Sequence, residues 1–258
     1  MSGLILRLAG PLQSWGEHST FSVRDTTAFP TRSGVLGLLA AAEGRPRGHA
    51  LSDYEPLEFT VRIDRPGKHL TDFHTVGGGL PRPATVRTAA GGRRTEGTTT
   101  LVSHRHYLTD AIFTVGIQAH DQHGTHMLTT IADALAHPAW APYLGRRSCV
   151  PDQPLLLRSD IADVDQELRT RTPLARTYNV RDQTPPSIEM LYERPPEGLD
   201  AKASTYELLD IPETFGTLDR RYRLRRVYRR VCEITSPQYT PGDPSGLDAL
   251  LGYAKEGT

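Results

Sequence analysis

The chain has 258 residues, enough for one large domain or two small ones around a real core. Hydrophobic residues make up 37% and charged residues 23%, and 30 Lys+Arg stand against 30 Asp+Glu, so the composition is globular and the formal net charge is zero. That balance excludes a basic tail that coats nucleic acid through bulk charge, and it leaves room for a local basic groove.

In chain order, Leu4-Ile5-Leu6-Arg7-Leu8-Ala9 is an apolar run closed by Gly10-Pro11 and predicts a buried first strand. A loop follows from Gln13 to Arg32, carrying Trp15, Phe21 and Phe29. Pro30-Thr31-Arg32-Ser33-Gly34 opens a buried helix over Val35 to Ala42, with Thr31 or Ser33 as cap. Leu57 to Asp64 alternates strictly, as a half-buried strand does. From Asp72 to about His104 glycine, proline and threonine replace apolar residues, so this excursion has no core of its own and is either disordered or folds against a partner. Tyr107 to Ala119 predicts a strand, Met127 to Leu135 a helix, and Leu155 to Leu157 a strand. This order is the split βαβ pattern of ferredoxin-like and RRM-like domains. Beyond residue 158 the chain is acidic and proline-rich up to an arginine segment at 220–230. There Leu224, Val227, Tyr228 and Val231 fit helical spacing, whereas the β-branched and aromatic content of Val227 to Ile234 fits a strand; periodicity alone does not choose.

The charge is segregated. Residues 60–107 carry eight Lys/Arg and three Asp/Glu, residues 152–213 seven and thirteen, and residues 217–233 seven Arg and two acids. Such a distribution turns one face to an anion and another to solvent or a protein. Only Lys68, Lys202 and Lys255 among the 30 cationic side chains are lysine. Arginine's planar fork suits phosphates and bases, although arginine-favouring codons of a GC-rich genome give the same bias. Cys149 and Cys232 stand in no metal-ligand spacing and read as buried or half-buried thiols of a reducing compartment. The start lacks a signal-peptide pattern, and the longest apolar stretch, Val35 to Ala42, is too short to span a bilayer, so a cytoplasmic protein without membrane contact is expected.

Four candidate sites stand out. Arg32 and Ser33 sit where the free amides and dipole of a helix start attract an anion. Tyr143-Leu144-Gly145-Arg146-Arg147 combines a stacking face, a close-approach glycine and two phosphate forks. His120, His123 and His126 share a spacing of three, but the intervening Asp121, Gln122 and Gly124 read as a turn that splays the imidazoles away from a common metal. His104-Arg105-His106-Tyr107 offers either acid–base groups for RNA cleavage or an arginine strand edge for phosphates. There is no P-loop, nucleophile elbow or paired-carboxylate frame.

Three blocks read together resemble the CasD family, the "Cas five" subunit of type I-E CRISPR Cascade: Leu6 to Gly16 (LRLAGPLQSWG), Phe29 to Leu39 (FPTRSGVLGLL) and Pro142 to Cys149 (PYLGRRSC). Asp72 to Val76 and Tyr107 to Val115 match in the same order; the likeness is good over residues 3–160, thin to 216 and weak at 217–234. The resemblance implies an α+β fold: an RRM-like (ferredoxin-like) domain over residues 1–158 with a long β-hairpin thumb at 77–104, and a small mostly-β C-terminal extension over 159–258 with a strand near 226–234. It implies a non-catalytic subunit, without cofactor or metal, that caps the 5′ handle of the crRNA. The thumb would meet the backbone subunit CasC and the target DNA at the handle-proximal end of the duplex, and the body would meet the large subunit CasA. Carried over by motif, the handle-facing set is Gln13, Trp15, Arg32, Ser33, His74, Arg105, Tyr143, Arg146 and Arg147. The classical RRM stacking motif is absent. The alternative is a metal-independent endoribonuclease acting on CRISPR repeat RNA.

Overall fold

The computed structural model describes residues 2–18, 22–49, 51–88, 91–94, 100–174, 187–198, 205–215, 220–233 and 247–256. Phe21, Thr98, Thr99 and Ile234, and with them parts of 160–216, lie outside the described residues. In chain order the elements are β1 (Ser2–Ala9), β2 (Leu12–Gln13), β3 (Val23–Arg24), α1 (Arg32–Ala42), β4 (Leu57–Arg65), β5 (Lys68–Val76), β6 (Leu101–Thr109) and β7 (Ile112–Ala119). There follow α2 (Gln122–Ala136), β8 (Leu156–Arg158), α3 (Val164–Thr170), β9 (Ser187–Tyr192), β10 (Thr205–Phe215), β11 (Arg220–Glu233) and α4 (Leu247–Lys255).

Seven strands form one antiparallel sheet in the order β10-β11-β9-β4-β7-β1-β8. β1 shows why its run of consecutive apolar residues is needed: a strand covered on both faces cannot alternate. Leu4, Leu6 and Leu8 enter a core with α1 and α2, while Ile5 and Ala9 enter a second core with α3 and α4. The helix α3 approaches very closely at two glycines. A Cβ on Gly3 or on Gly116 would come within 2.2 Å of a Val164 methyl.

The same double coverage corrects the reading of β4 as half-buried. Leu57, Phe59 and Val61 face the first core, and Arg62 and Asp64, on the opposite face, are also wholly buried. Arg62 donates to Asp64 through Nε (2.7 Å) and Nη2 (3.0 Å), and to the carbonyls of Leu168 (2.6 Å), Thr172 (2.8 Å) and Pro173 (2.8 Å). Thr114 on β7 donates to Asp64 at 2.9 Å. One arginine thus satisfies carbonyls at the end of α3 that would otherwise be buried without partners.

Tyr107 to Ala119 is two strands, not one. Asp110 takes a left-handed backbone (φ 55°), which breaks the run; β6 before it belongs to a second sheet, with β5, β2 and β3, and β7 after it to the large one. β5 and β6 pair along nine residues each, so the core-free excursion is a two-stranded ribbon from Lys68 to Thr109. Its tip contains a bridge between Arg87 and Arg93. α2 also begins earlier than the apolar stripe predicts. Asp121 is its N-cap and accepts from the Gly124 amide at 2.6 Å, which draws residues 122–126 into the helix and overrides the turn reading. The arginine segment is the strand β11, and β9 pairs with β4, so the sheet runs unbroken past residue 158. Cys149 and Cys232 are free and buried, and burial pushes both thiols up. Among the described residues no helix is long and apolar enough to cross a membrane.

Replacing Arg62 with methionine leaves Asp64 without its buried cation and three carbonyls without this donor. The expected loss is about 3–5 kcal/mol of unfolding free energy in a urea titration, with part recovered by also changing Asp64 to leucine.

Candidate nucleic-acid interface

The three sequence blocks meet at Trp15. Its indole is fully buried, and Nε1 donates to Gln13 Oε1 at 3.0 Å. A Cβ on Gly34 would lie 2.6 Å from that ring, and one on Gly145 would lie 1.8 Å from the Ser14 carbonyl oxygen. Gly145 also has φ 82°, a left-handed backbone that favours glycine. The two glycines therefore let α1 close on the Trp15 ring and the 143–149 loop close on the Ser14–Trp15 segment. Gln13, itself wholly buried, donates through Nε2 to the carbonyls of Leu8 (3.0 Å) and Ala111 (2.8 Å). Both residues, expected to face a ligand, hold the frame: Gln13 lies beneath the surface, and Trp15 borders the cleft from its buried seat.

Arg32 and Ser33 part company. Thr31 is the N-cap of α1, and its hydroxyl accepts from the Gly34 amide at 3.3 Å. The Arg32 amide donates to Asp210 Oδ2 at 2.7 Å, so the anion seated at this helix start comes from β10. The Arg32 guanidinium points inward: it donates to the carbonyls of Leu57 (3.0 Å) and Tyr54 (3.0 Å) and to Glu193 Oε2 (2.6 Å), and lies 4.7 Å above the Phe59 ring. Glu193 also accepts from the Phe59 amide at 3.1 Å and pairs with Arg225 at 3.4 Å. Arg225 donates to both oxygens of Asp210 (2.7 and 2.9 Å). Burial pulls the Arg225 pKa down, but Asp210 and Glu193 outweigh it and the net direction is up.

Ser33 instead faces a cleft of about 1310 Å³, together with Tyr143, Arg146 and Arg147. Arg146 donates to the carbonyls of Arg24 (2.9 Å) and Asp25 (3.2 Å) and covers the Tyr107 ring at 4.7 Å, which fastens the loop to β3. The fold adds residues that the motifs missed: Arg24, Arg45, Arg47, His49, Trp140 and Tyr222. Arg45 is held in place by Glu43 (3.2 Å) and Asp53 (2.8 Å) and stacks on Tyr54 at 4.8 Å. Burial pulls its pKa down, and Asp53, Tyr54 and Glu43 raise it overall. Tyr54 donates to Glu43; burial and that carboxylate push its hydroxyl well above the usual tyrosine range. The run Arg45-Pro46-Arg47-Gly48-His49 just after a helix was a legible basic loop, whereas nothing local marks Tyr222 as its neighbour.

Among the described residues the cleft lining holds five arginines and one carboxylate, Glu17, whose Oε1 already accepts from the Leu209 amide at 2.7 Å. The exposed guanidiniums of Arg24, Arg47 and Arg147 have no partner among the described residues. His74 and Arg105 are elsewhere, on the ribbon: His74 Nδ1 is 3.2 Å from Asp72, and Arg105 Nε donates to Ser103 Oγ at 3.3 Å. His104 packs edge-on to the exposed Phe73, and His106 Nδ1 is 3.3 Å from Thr71 Oγ1. His120 Nε2 lies 2.9 Å from Glu58.

The chain has counterparts among known proteins. The profile of the CRISPR-associated protein (Cas_Cas5) family matches residues 3–228. The chain belongs to this family. The CRISPR system Cascade subunit CasD of Escherichia coli (strain K12) is 39% identical over 175 residues, which is 60% of this chain and 70% of that protein. A chain of a solved CRISPR RNA-guided surveillance complex superposes with a TM-score of 0.84 at 44% identity, covering 98% of this chain and 99% of its own. A second structure, described as the crystal structure of a Cas protein, superposes with a TM-score of 0.58 at 27% identity, over 94% and 100% of the two chains. The CasD resemblance read from the blocks and the mixed α+β architecture therefore hold for this chain.

Arg32 and Arg147, two of the four arginines of the expected site, separate in a stability measurement. Arg32→Ala is expected to cost about 3 kcal/mol, because it strips Glu193 and two carbonyls of a buried donor. Arg147→Ala leaves the urea midpoint unchanged.

Proposed function

We propose that the chain binds the repeat-derived 5′ handle of a crRNA along this cleft, as the non-catalytic cytoplasmic subunit that caps the guide in a type I-E Cascade. Membership of the Cas5 family and the likeness to a Cascade subunit and to a surveillance-complex chain support a crRNA-binding Cascade role. The observation that carries the finer reading is the charge of the cleft: among the described residues five arginines converge on one open volume, and the single carboxylate of the lining is already bonded to a backbone amide. A single strand offers phosphates, unstacked bases and 2′-hydroxyls to such a surface, while the reading of target sequence is left to guide pairing.

The remaining parts fit this role. We read β1-α1-β4 and β7-α2-β8 as the two halves of an RRM-like unit, since the order β4-β7-β1-β8 interleaves them. We assign the ribbon to the thumb, where Phe73 (65% exposed), Leu70 and Val102 offer apolar contact to a neighbouring CasC and to the guide–target duplex. We assign contact with CasA to the body. His104 and His106 sit on the ribbon with Phe73 and Thr71, and Tyr107 is buried under Arg146, so these groups do not converge on one open site for repeat cleavage.

The test uses the full chain and a fluorescein-labelled repeat-derived RNA, with affinity measured by anisotropy across a salt series. Replacing Arg24, Arg47 and Arg147 together with alanine is expected to weaken binding by more than about tenfold and to reduce the slope of log K against log salt by about 2. Unchanged affinity and slope would remove the cleft from the account. Incubation in EDTA should leave the RNA intact; cleavage at one defined phosphodiester would favour the endoribonuclease.

A further inference from the structure

The floor of the cleft is made of small side chains. α1 turns Val35, Leu36, Leu38 and Leu39 into the core and presents Gly37 and Ala40 to the cleft. A Cβ placed on Gly37 would meet nothing within 4 Å. Packing therefore does not demand glycine there, and a glycine inside a helix is less stable than alanine. What the glycine does is keep that stretch of floor empty.

At one end of this floor stands Trp140. The amides of Ala139 and Trp140 donate to the last carbonyls of α1, those of Ala42 (2.8 Å) and Ala41 (3.1 Å), so the backbone under the indole is fixed to the helix. The indole itself is 50% exposed, while the chain's other tryptophan, Trp15, is wholly buried. Arg47 and Arg147, with exposed guanidiniums, line the same cleft. An open aromatic face among cations is the combination that holds an unpaired base and its flanking phosphates.

We infer that Trp140 and the empty floor at Gly37 and Ala40 form a slot for one unpaired nucleobase of the bound strand. The indole stacks on the base, Gly37 leaves room for it, and Arg47 and Arg147 take the phosphates on either side. This rests on the reading of the cleft as a single-strand site and adds which part of it takes a base.

The experiment compares two probes on the full chain by anisotropy: a single-stranded RNA of about eight nucleotides, and the same sugar–phosphate strand with abasic analogues at every position. Trp140→Ala is expected to weaken the base-bearing strand roughly tenfold, with no change for the abasic strand and no change in salt slope. Gly37→Leu should weaken the base-bearing strand at least as much, with its urea midpoint at or above that of the parent chain. If Trp140→Ala leaves the base-bearing strand unaffected, or weakens both strands equally, the stacking slot is wrong. Parent-like binding by Gly37→Leu also overturns it. In those cases the salt-slope loss of the triple arginine variant still stands for the cleft. If the parent chain binds neither probe, both readings fall.

Discussion

Arg32, Glu193, Arg225 and Asp210 form a ring, closed through the Arg32 backbone amide, that joins the start of α1 to β4, β10 and β11. The ring spans 178 positions of sequence in its longest link, from the Arg32 amide to Asp210. Ions this little exposed persist only when each has partners, and here two cations and two anions cancel. The consequence reaches the surface. With α1 tied to the C-terminal strands, one wall of the cleft receives Tyr222 from β11 and another receives the loop after α1. Asp210 also fills the anion seat at the helix start. An incoming phosphate is therefore met by the guanidiniums around the cleft rather than by the first amide of α1.

Trp15 does for the other side of the cleft what the ionic ring does for this one. Gly34 packs against its indole ring and Gly145 against the Ser14 carbonyl just before it, and neither position has room for a Cβ. Glycine at these two places is thus a packing requirement, and at Gly37 it is not. This contrast gives the glycines of the two motifs different meanings: two bring segments together, and one leaves space. Arg146 then stitches the loop to β3 through two carbonyls and the Tyr107 ring, while Arg147 next to it stays open to solvent. Adjacent arginines in one motif divide into a structural and a solvent-facing member.

The sequence made much of this legible. The apolar run of β1, the Thr31 cap and the absence of a core between Asp72 and His104 follow from local chemistry, and each has its place in the fold. The blocks around Trp15, Arg32 and Gly145 pointed to one region, because motif residues that meet in space leave the same mark whether they touch ligand or hold the frame. That ambiguity is why Gln13 and Arg32 read as ligand contacts and turn out to be buried donors. Whether an arginine faces out depends on Glu193 and Asp210, carboxylates far along the chain that no periodicity links to it. His74 at the base of the excursion and Arg105 on its returning strand lie on the ribbon; what no sequence pattern announces is that Asp110, a single left-handed residue, puts β6 and β7 in different sheets. Trp140 has no local signal, since a lone aromatic in a loop belongs to no motif.

The central claim is that one cleft, between α1 and the 139–150 loop, holds a single RNA strand. The most direct measurement is photocrosslinking of the full chain to repeat-derived RNA carrying 4-thiouridine, with the crosslinked peptides identified by mass spectrometry. The account predicts adducts in the segments that line the cleft, within residues 22–49 and 139–150. Adducts confined to the ribbon or to the α3 and α4 face would contradict it.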